Sequence, residues 1–109
     1  MSSMYAKYVI EREGISIIES EVGFVTYYFI NDQCYIKDLY IDEKYRRTGE
    51  GFKFGDEISK IAKDKGCTKI YGTVCPTSNG STESLKGLLK YGFKLDSCIN
   101  NFIALVKEL

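Results

Sequence analysis

The 109-residue chain contains no histidine. That absence removes Ser-His-Asp and Cys-His nucleophilic catalysis and every metal site built on imidazole. Cysteine occurs at Cys34, Cys67, Cys75 and Cys98 without any C-x-x-C pair, so no zinc site is expected and no metal is assigned. Net charge is absent as well: 15 bases balance 15 acids. Global charge therefore offers no attraction to nucleic acid or to a membrane surface, and neither is expected as a partner. The longest apolar stretch, near Phe24–Ile30, is far too short to span a bilayer. The first residues, Met1 to Lys7, lack the apolar core of a signal peptide, so a reduced, cytoplasmic protein is expected.

What is present is ordinary for a globular domain: 44% apolar and 28% charged residues. A chain of this length buries roughly two-thirds of its unfolded surface and needs neither disulfide nor metal to fold. Residues 1–109 are expected to form a single domain. The charges are not evenly placed. Residues 1–43 carry Lys7, Arg12 and Lys37 against a majority of acids, while residues 44–109 are basic on balance, a polarity that suits an anion bound by the second half.

The first half reads as strands. Lys7–Glu11 and Ile15–Glu19 are short β-branched runs divided by Glu13-Gly14. Gly23–Ile30 and Cys34–Ile41 flank Asn31-Asp32-Gln33, a hairpin turn. Strict alternation along Cys34–Ile41 sets Tyr35, Lys37, Leu39 and Ile41 on one face and Cys34, Ile36, Asp38 and Tyr40 on the other. From about Gly51 the period changes: Phe54, Ile58, Ile61 and Ala62 have helical spacing, with Gly66 as a stop after three charged residues. A strand at Lys69–Val74, a loop at Cys75–Gly80, a helix carrying Leu85, Leu88 and Leu89, and strands at Phe93–Ser97 and Phe102–Lys107 complete the chain. The order β-β-β-β-α-β-α-β-β implies an α+β domain on one mixed, mainly antiparallel sheet flanked by helices.

The informative junction is Ile41–Gly51, where a strand delivers Arg46-Arg47-Thr48-Gly49-Glu50-Gly51 into an amphipathic helix. Two glycines two residues apart let the backbone turn tightly and bare its N–H groups, which with the helix dipole form a cradle for pyrophosphate. Arg46, Arg47 and Lys53 add positive charge. A tight glycine turn on a solvated basic surface uses the same residues and stays open on the residues alone. A dinucleotide fingerprint fits poorly: several antiparallel strands precede the loop, and the position twenty beyond Gly49 is Lys69 rather than an acid. No Gly-Lys-Ser/Thr follows, so a kinase-type phosphate loop is excluded.

Arg46-x-x-Gly49-x-Gly51, placed after a strand and opening a helix, resembles the signature of the GNAT superfamily of acyl-CoA-dependent N-acetyltransferases. Tyr35 to Arg46 is similar to the polyamine acetyltransferase branch, and Ser84 to Phe93 resembles the family's helix that runs into Gly-Phe. The resemblance covers roughly residues 23–97 and implies acetyl transfer from acetyl-CoA to an amine, small or protein-borne, by direct attack on the thioester. It implies that Leu39, Tyr40 and Ile41 meet pantetheine, that the N–H groups of Arg47, Thr48, Gly49, Glu50, Gly51 and Phe52 beside Arg46 hold the pyrophosphate, and that Lys69–Val74 splays away to admit the acyl arm. Asn79, or Ser81, stands for the family's loop asparagine.

Catalytic roles follow the same resemblance. Asp38 is the candidate proton acceptor or amine-orienting group, its alternative being an edge-exposed or ion-paired strand acid. Leu88 occupies the place of the family's general-acid tyrosine, which leaves Tyr91, Tyr71 or unassisted departure of the thiolate. Cys75 ends a strand near the expected thioester, where packing is the usual role. The helix pair that follows the family's first strand is missing from this sequence. The aromatic faces of Gly23–Ile30 and Cys34–Ile41 are then expected to be partly uncovered, favouring a homodimer or a protein partner over them. A GNAT-fold binding module without turnover is the competing reading.

Overall fold

A computed structural model describes residues 3–109. Helix α1 (Met4–Tyr8) continues into a π-helical turn, Val9–Glu13. Strands β1 (Ser16–Ser20), β2 (Gly23–Ile30) and β3 (Gln33–Ile41) follow, then a 3₁₀ turn at Glu43–Tyr45 and helix α2 (Glu50–Asp64). Strand β4 (Lys69–Val74), helix α3 (Ser81–Tyr91), β5 (Lys94–Ile99) and β6 (Phe102–Glu108) complete the chain. The six strands lie in the order β1-β2-β3-β4-β6-β5, with β3–β4 parallel and every other pair antiparallel. This is the expected mixed α+β sheet.

One element differs in kind. The run Lys7–Glu11, expected as a strand, is helical. Its termini explain why: the Ser3 hydroxyl accepts from the Ala6 N–H at 3.0 Å as an N-cap, and Gly14 takes the left-handed conformation (φ 68°) that stops a helix. Ala6 and Val9, three apart, are buried on its inner face, and that burial overrides the β-propensity of Val9 and Ile10. The Tyr5 ring packs on Phe24 at 5.2 Å and Ser3 donates to Glu19, so the segment lies across the face of β1 and β2 that carries Phe24. No helix pair follows the first strand among the described residues. Met4–Glu13 covers part of the aromatic face that was expected to be partly uncovered, and Tyr40 on it stays half exposed.

The turns follow local chemistry. Asn31-Asp32 joins β2 to β3 with Ile30 opposite Gln33, and Asn31 sits at φ 55°. Asn100 and Asn101 take φ 51° and 67°, the pair of left-handed residues that a tight β5–β6 hairpin requires. Helices α2 and α3 share the other face of the sheet. Phe54, Ile58 and Ala62 from α2 meet Val25, Tyr27, Cys34, Ile70 and Leu105 from the strands in one buried cluster.

Alternation along β3 breaks at one point. Thr26 pairs with Asp38 and Tyr27 with Ile36, leaving Lys37 as an extra, bulged residue. Beyond it the faces exchange. Ile36 and Leu39 both face the helices, while Tyr40 stacks on Phe24 (5.9 Å) on the opposite side. The grouping of Ile36 with Asp38 and Tyr40 expected from unbroken alternation is therefore wrong by this one residue. At the same place β3 and β4 part company: their pairing runs only from Gln33–Lys69 to Ile36–Gly72, and Thr73 and Val74 stay with β6.

Burial has a consequence at high pH. The Cys34 thiol is fully buried and is pushed up to about 12, by burial first and by Cys67 second, from an ordinary value of 9.0. Tyr27 is raised in the same direction, chiefly by burial. A raised value leaves stability intact below the unfolded pKa and removes it as pH climbs toward the folded one. Urea midpoints are expected to be flat up to about pH 8 and to fall between roughly pH 9 and 12, at up to ~1.4 kcal/mol per pH unit for the thiol. A midpoint unchanged at pH 11 would contradict this packing of Cys34.

Candidate active site

Where β3 and β4 separate, a cavity of about 210 Å³ opens beneath α2 and α3. Ile36 and Leu39 line it from β3, Gly72 and Thr73 from β4, Phe52 from α2, and Leu88 from α3. Ligand pockets for drug-sized molecules run from ~300 Å³ upward, so this one suits a narrow chain whose polar end remains outside. A methyl group at Gly72 would meet Leu88 at 3.5 Å, ordinary van der Waals contact, so Leu88 stands directly over β4 at the gap.

At the mouth of the cavity stands the N-terminus of α2. Its cap, Gly49, is left-handed (φ 86°) and supplies no side-chain hydrogen bond. The first intrahelical bond runs from Lys53 N to Gly49 O, so the N–H groups of Glu50, Gly51 and Phe52 point outward without a helical acceptor. A Cβ at Gly49 or at Gly51 would meet no protein atom within 4 Å. Packing does not demand glycine there. What these glycines leave clear is the space above bare N–H groups at the positive end of a helix dipole, the environment an anionic phosphate requires.

The charged side chains divide their work. Arg46 donates Nε–H to Ile41 O at 2.9 Å and lies over the Tyr40 ring, fastening the loop to the end of β3. Thr48 donates to Tyr45 O. Glu50, the acid within the loop, is held by Lys53 at 3.2 Å, which offsets the repulsion it would exert on an anion. Arg47 is exposed and left-handed at φ 65°.

Of the candidate catalytic groups, Tyr91 alone touches the cavity. Its ring packs so closely on Gly55 that a Cβ there would lie 2.8 Å away, and its hydroxyl donates to Asp56 at 2.6 Å. Burial, then the Asp56 contact, raises its pKa above the ordinary phenol value. Tyr71 stacks on Tyr35 (5.1 Å, 13°), which stacks on Tyr28, all on the face away from the helices. Because neighbouring residues of a strand face opposite ways and Gly72 lines the cavity, the Tyr71 ring is separated from it by the sheet. Tyr71, one of the alternatives for the proton donor, therefore does not line this cavity. Asp38 is exposed on that same face, opposite α2 and α3 and just past the bulge, with its N–H donated to Thr26 Oγ1 at 3.0 Å. Asn79 is exposed in the loop before α3 and does not line the cavity. Cys75 is held by Thr77 at 3.3 Å, and hydrogen bonds from Thr77 and Ser78 lower its pKa.

Two residues of this site escaped the sequence reading. Thr26 is fully buried and anchors the bulge; its signal was the lone aliphatic hydroxyl in an apolar, aromatic strand. Glu13, placed by the N-terminal helical segment, holds the bulged Lys37 at 2.7 Å. Its partner was legible only with that segment read as helix.

A profile of the acetyltransferase (GNAT) family matches residues 3–93. The chain belongs to this family. Among curated relatives, a thialysine N-epsilon-acetyltransferase of Sus scrofa is 36% identical over 54 residues, which are 45% of this chain and 32% of that enzyme. The matched region thus spans about a third of the relative's length. In structure, the chain is similar to a PaiA N-acetyltransferase from Thermoplasma acidophilum in complex with coenzyme A. The TM-score is 0.77 at 19% identity, over 93% of this chain and 66% of that one. It is also similar to a GNAT family acetyltransferase from Elizabethkingia anophelis with acetyl-CoA bound. There the TM-score is 0.73 at 21% identity, over 98% and 86% of the two chains.

The glycine geometry yields a direct prediction. Gly51→Asp places a carboxylate in the first turn of α2, where the dipole favours it, and meets no packing clash. The variant is expected to fold and melt like wild type while losing acetyl-CoA binding by calorimetry. Retained binding would show that the N–H cradle is not the phosphate site.

Proposed function

We propose that this GNAT domain transfers an acetyl group from acetyl-CoA to a primary amine by direct attack. The observation that carries the reading is the junction of three features: an uncapped, glycine-bare α2 N-terminus, the β3–β4 gap, and the narrow apolar cavity behind it. Phosphates outside and a thin acyl arm inside match the shape and polarity of these parts. The amine approaches the gap from the face opposite α2 and α3, which the N-terminal helical segment covers only in part and where Asp38 is exposed. The new C–N bond forms as the C–S bond breaks; the nitrogen's proton passes to Asp38, directly or through water, and the sulfur leaves as thiolate. The acceptor class we favour is an ε-amine on a lysine-like side chain. The activity for which the pig relative is named and the acids on this face support it.

In this reading the thiolate departs without a general acid from the protein. Tyr91 is turned to Asp56, and a phenol with a raised pKa is a poor donor to a thiolate whose conjugate acid lies near ~8.5. Tyr91→Phe is therefore expected to change kcat by less than about threefold while costing about 1 kcal/mol of stability through the lost hydrogen bond. A hundredfold loss of kcat would make Tyr91 the general acid. Leu88→Tyr, which sets a hydroxyl at the gap beside Gly72, should raise the rate.

Asp38→Asn is expected to lower kcat/KM by ~100-fold, the usual size of a general-base contribution. A loss below about threefold with normal acetyl-CoA affinity would reduce Asp38 to a surface acid. Leu88 in the cavity favours a second reading, a cofactor-binding module without turnover. Thioester consumption across a panel of amines separates the two: turnover with any ε-amine supports the enzyme, and acetyl-CoA binding without turnover supports the module.

A further inference from the structure

A lysine stands directly beside the acid that meets the amine. Lys37 and Asp38 are consecutive in β3, and in an unbroken strand their side chains would point to opposite faces. The bulge removes that separation. Asp38 pairs with Thr26 and shares the face of Tyr40, which stacks on Phe24 beneath the Tyr5 ring of the N-terminal segment. The Lys37 ammonium reaches the same segment, donating to Glu13 Oε2 at 2.7 Å. A cation and the proposed proton acceptor are thus neighbours on the side from which the amine comes.

The Glu13–Lys37 pair adds little to the stability of the fold. Both side chains are partly exposed, where an ion pair is worth little, and the bulge is already held by the hydrogen bond from Asp38 N–H to Thr26. Its larger effect is on charge. Glu13 holds the Lys37 ammonium above its ordinary pKa, first through the hydrogen bond, and Asp38 adds a weaker pull in the same direction. Lys37 therefore lies close enough to feel the Asp38 carboxylate while its ammonium is committed to Glu13. Arg46, the other cation toward this face, is fastened to Ile41 O and lies over Tyr40, farther along the strand. With Glu13 absent, Lys37 becomes the nearest free cation to Asp38 and competes with an incoming ammonium for the same carboxylate.

We propose that Glu13 is a specificity-determining positioning residue for a cationic acceptor: by holding the Lys37 ammonium, it leaves the Asp38 carboxylate free to receive the ammonium of an aliphatic amine. The proposal rests on the proposed function and gives the N-terminal segment a part in choosing the acceptor. It acts on the charge of the acceptor and leaves acetyl-CoA binding alone.

Steady-state kinetics with a charged and an uncharged acceptor test it. Nα-acetyl-lysinamide presents an ammonium at neutral pH, and trifluoroethylamine is uncharged there. Glu13→Gln should raise KM for the lysine derivative about fivefold, with kcat and acetyl-CoA affinity within about twofold of wild type and KM for the uncharged amine unmoved. The rise should shrink as salt is added. Adding Lys37→Met to Glu13→Gln removes the competing cation and should return KM to within about twofold of wild type, which a mere loss of fastening would not do. Lys37→Met alone leaves both carboxylates free and should lower KM for the lysine derivative; it decides the matter if Glu13→Gln does not fold. A double variant as impaired as Glu13→Gln overturns the proposal, as does an equal rise with the uncharged amine or a raised KM in Lys37→Met. No turnover of either amine by wild type sinks the functional reading and this proposal with it. Turnover by wild type with a KM indifferent to both substitutions sinks this proposal alone.

Discussion

The hydrogen bond from Asp38 N–H to the buried Thr26 hydroxyl fixes the arrangement on which the rest of this molecule depends. It sits at the β-bulge, where β3 takes in one extra residue, and immediately beyond it β3 and β4 stop pairing. An open, parallel pair in the middle of a sheet would ordinarily leave backbone polar groups unpaired at considerable expense. Here β2 continues to hold β3 through Ile41, and β6 continues to hold β4 through Val74. The sheet therefore opens along a single seam without unravelling on either side. Glu13, reaching over from the N-terminal helical segment to Lys37, fastens the bulged residue from above.

The loop after β3 turns that opening into a binding site. A helix start without a side-chain cap and a left-handed arginine are both unfavourable for folding in isolation. They are clustered within a few residues, at the one place where the strands part and a cavity begins. Consistency elsewhere in the chain makes the exception legible: Ser3 caps α1, asparagines fill the left-handed turn positions, and no described buried side-chain polar atom lacks a partner. An uncapped, left-handed glycine also opens α3 at Gly80, so of these departures only the left-handed arginine is confined to the site.

Much of this was readable from residues. The change from period two to helical spacing placed α2, with Phe54, Ile58 and Ala62 buried as expected, and the Gly49/Gly51 pair located the loop. Two things were not. Lys7–Glu11 has strand propensity, and only the Ser3 cap and the Gly14 stop, each weak alone, argue for the helix that burial of Ala6 and Val9 secures. The bulge leaves no mark in the pattern of β3 itself, because it is set across the sheet by Thr26. One inserted residue reverses every face after it, which is why Leu39 was grouped with Lys37 and not with Ile36. Tyr71 illustrates the same limit: sequence position brought it near the gap, and strand parity put its ring on the other face.

The central claim is that acetyl-CoA lies with its phosphates on the α2 N-terminus and its acyl arm in the β3–β4 gap. Titrating acetyl-CoA into ¹⁵N-labelled protein and following backbone amides tests it residue by residue. The account predicts saturable shifts concentrated at Arg47–Phe52, at Leu39–Ile41 and at Thr73, with β1 and β5 unmoved. Saturable binding whose shifts fall elsewhere, or no shifts at millimolar acetyl-CoA, would contradict it.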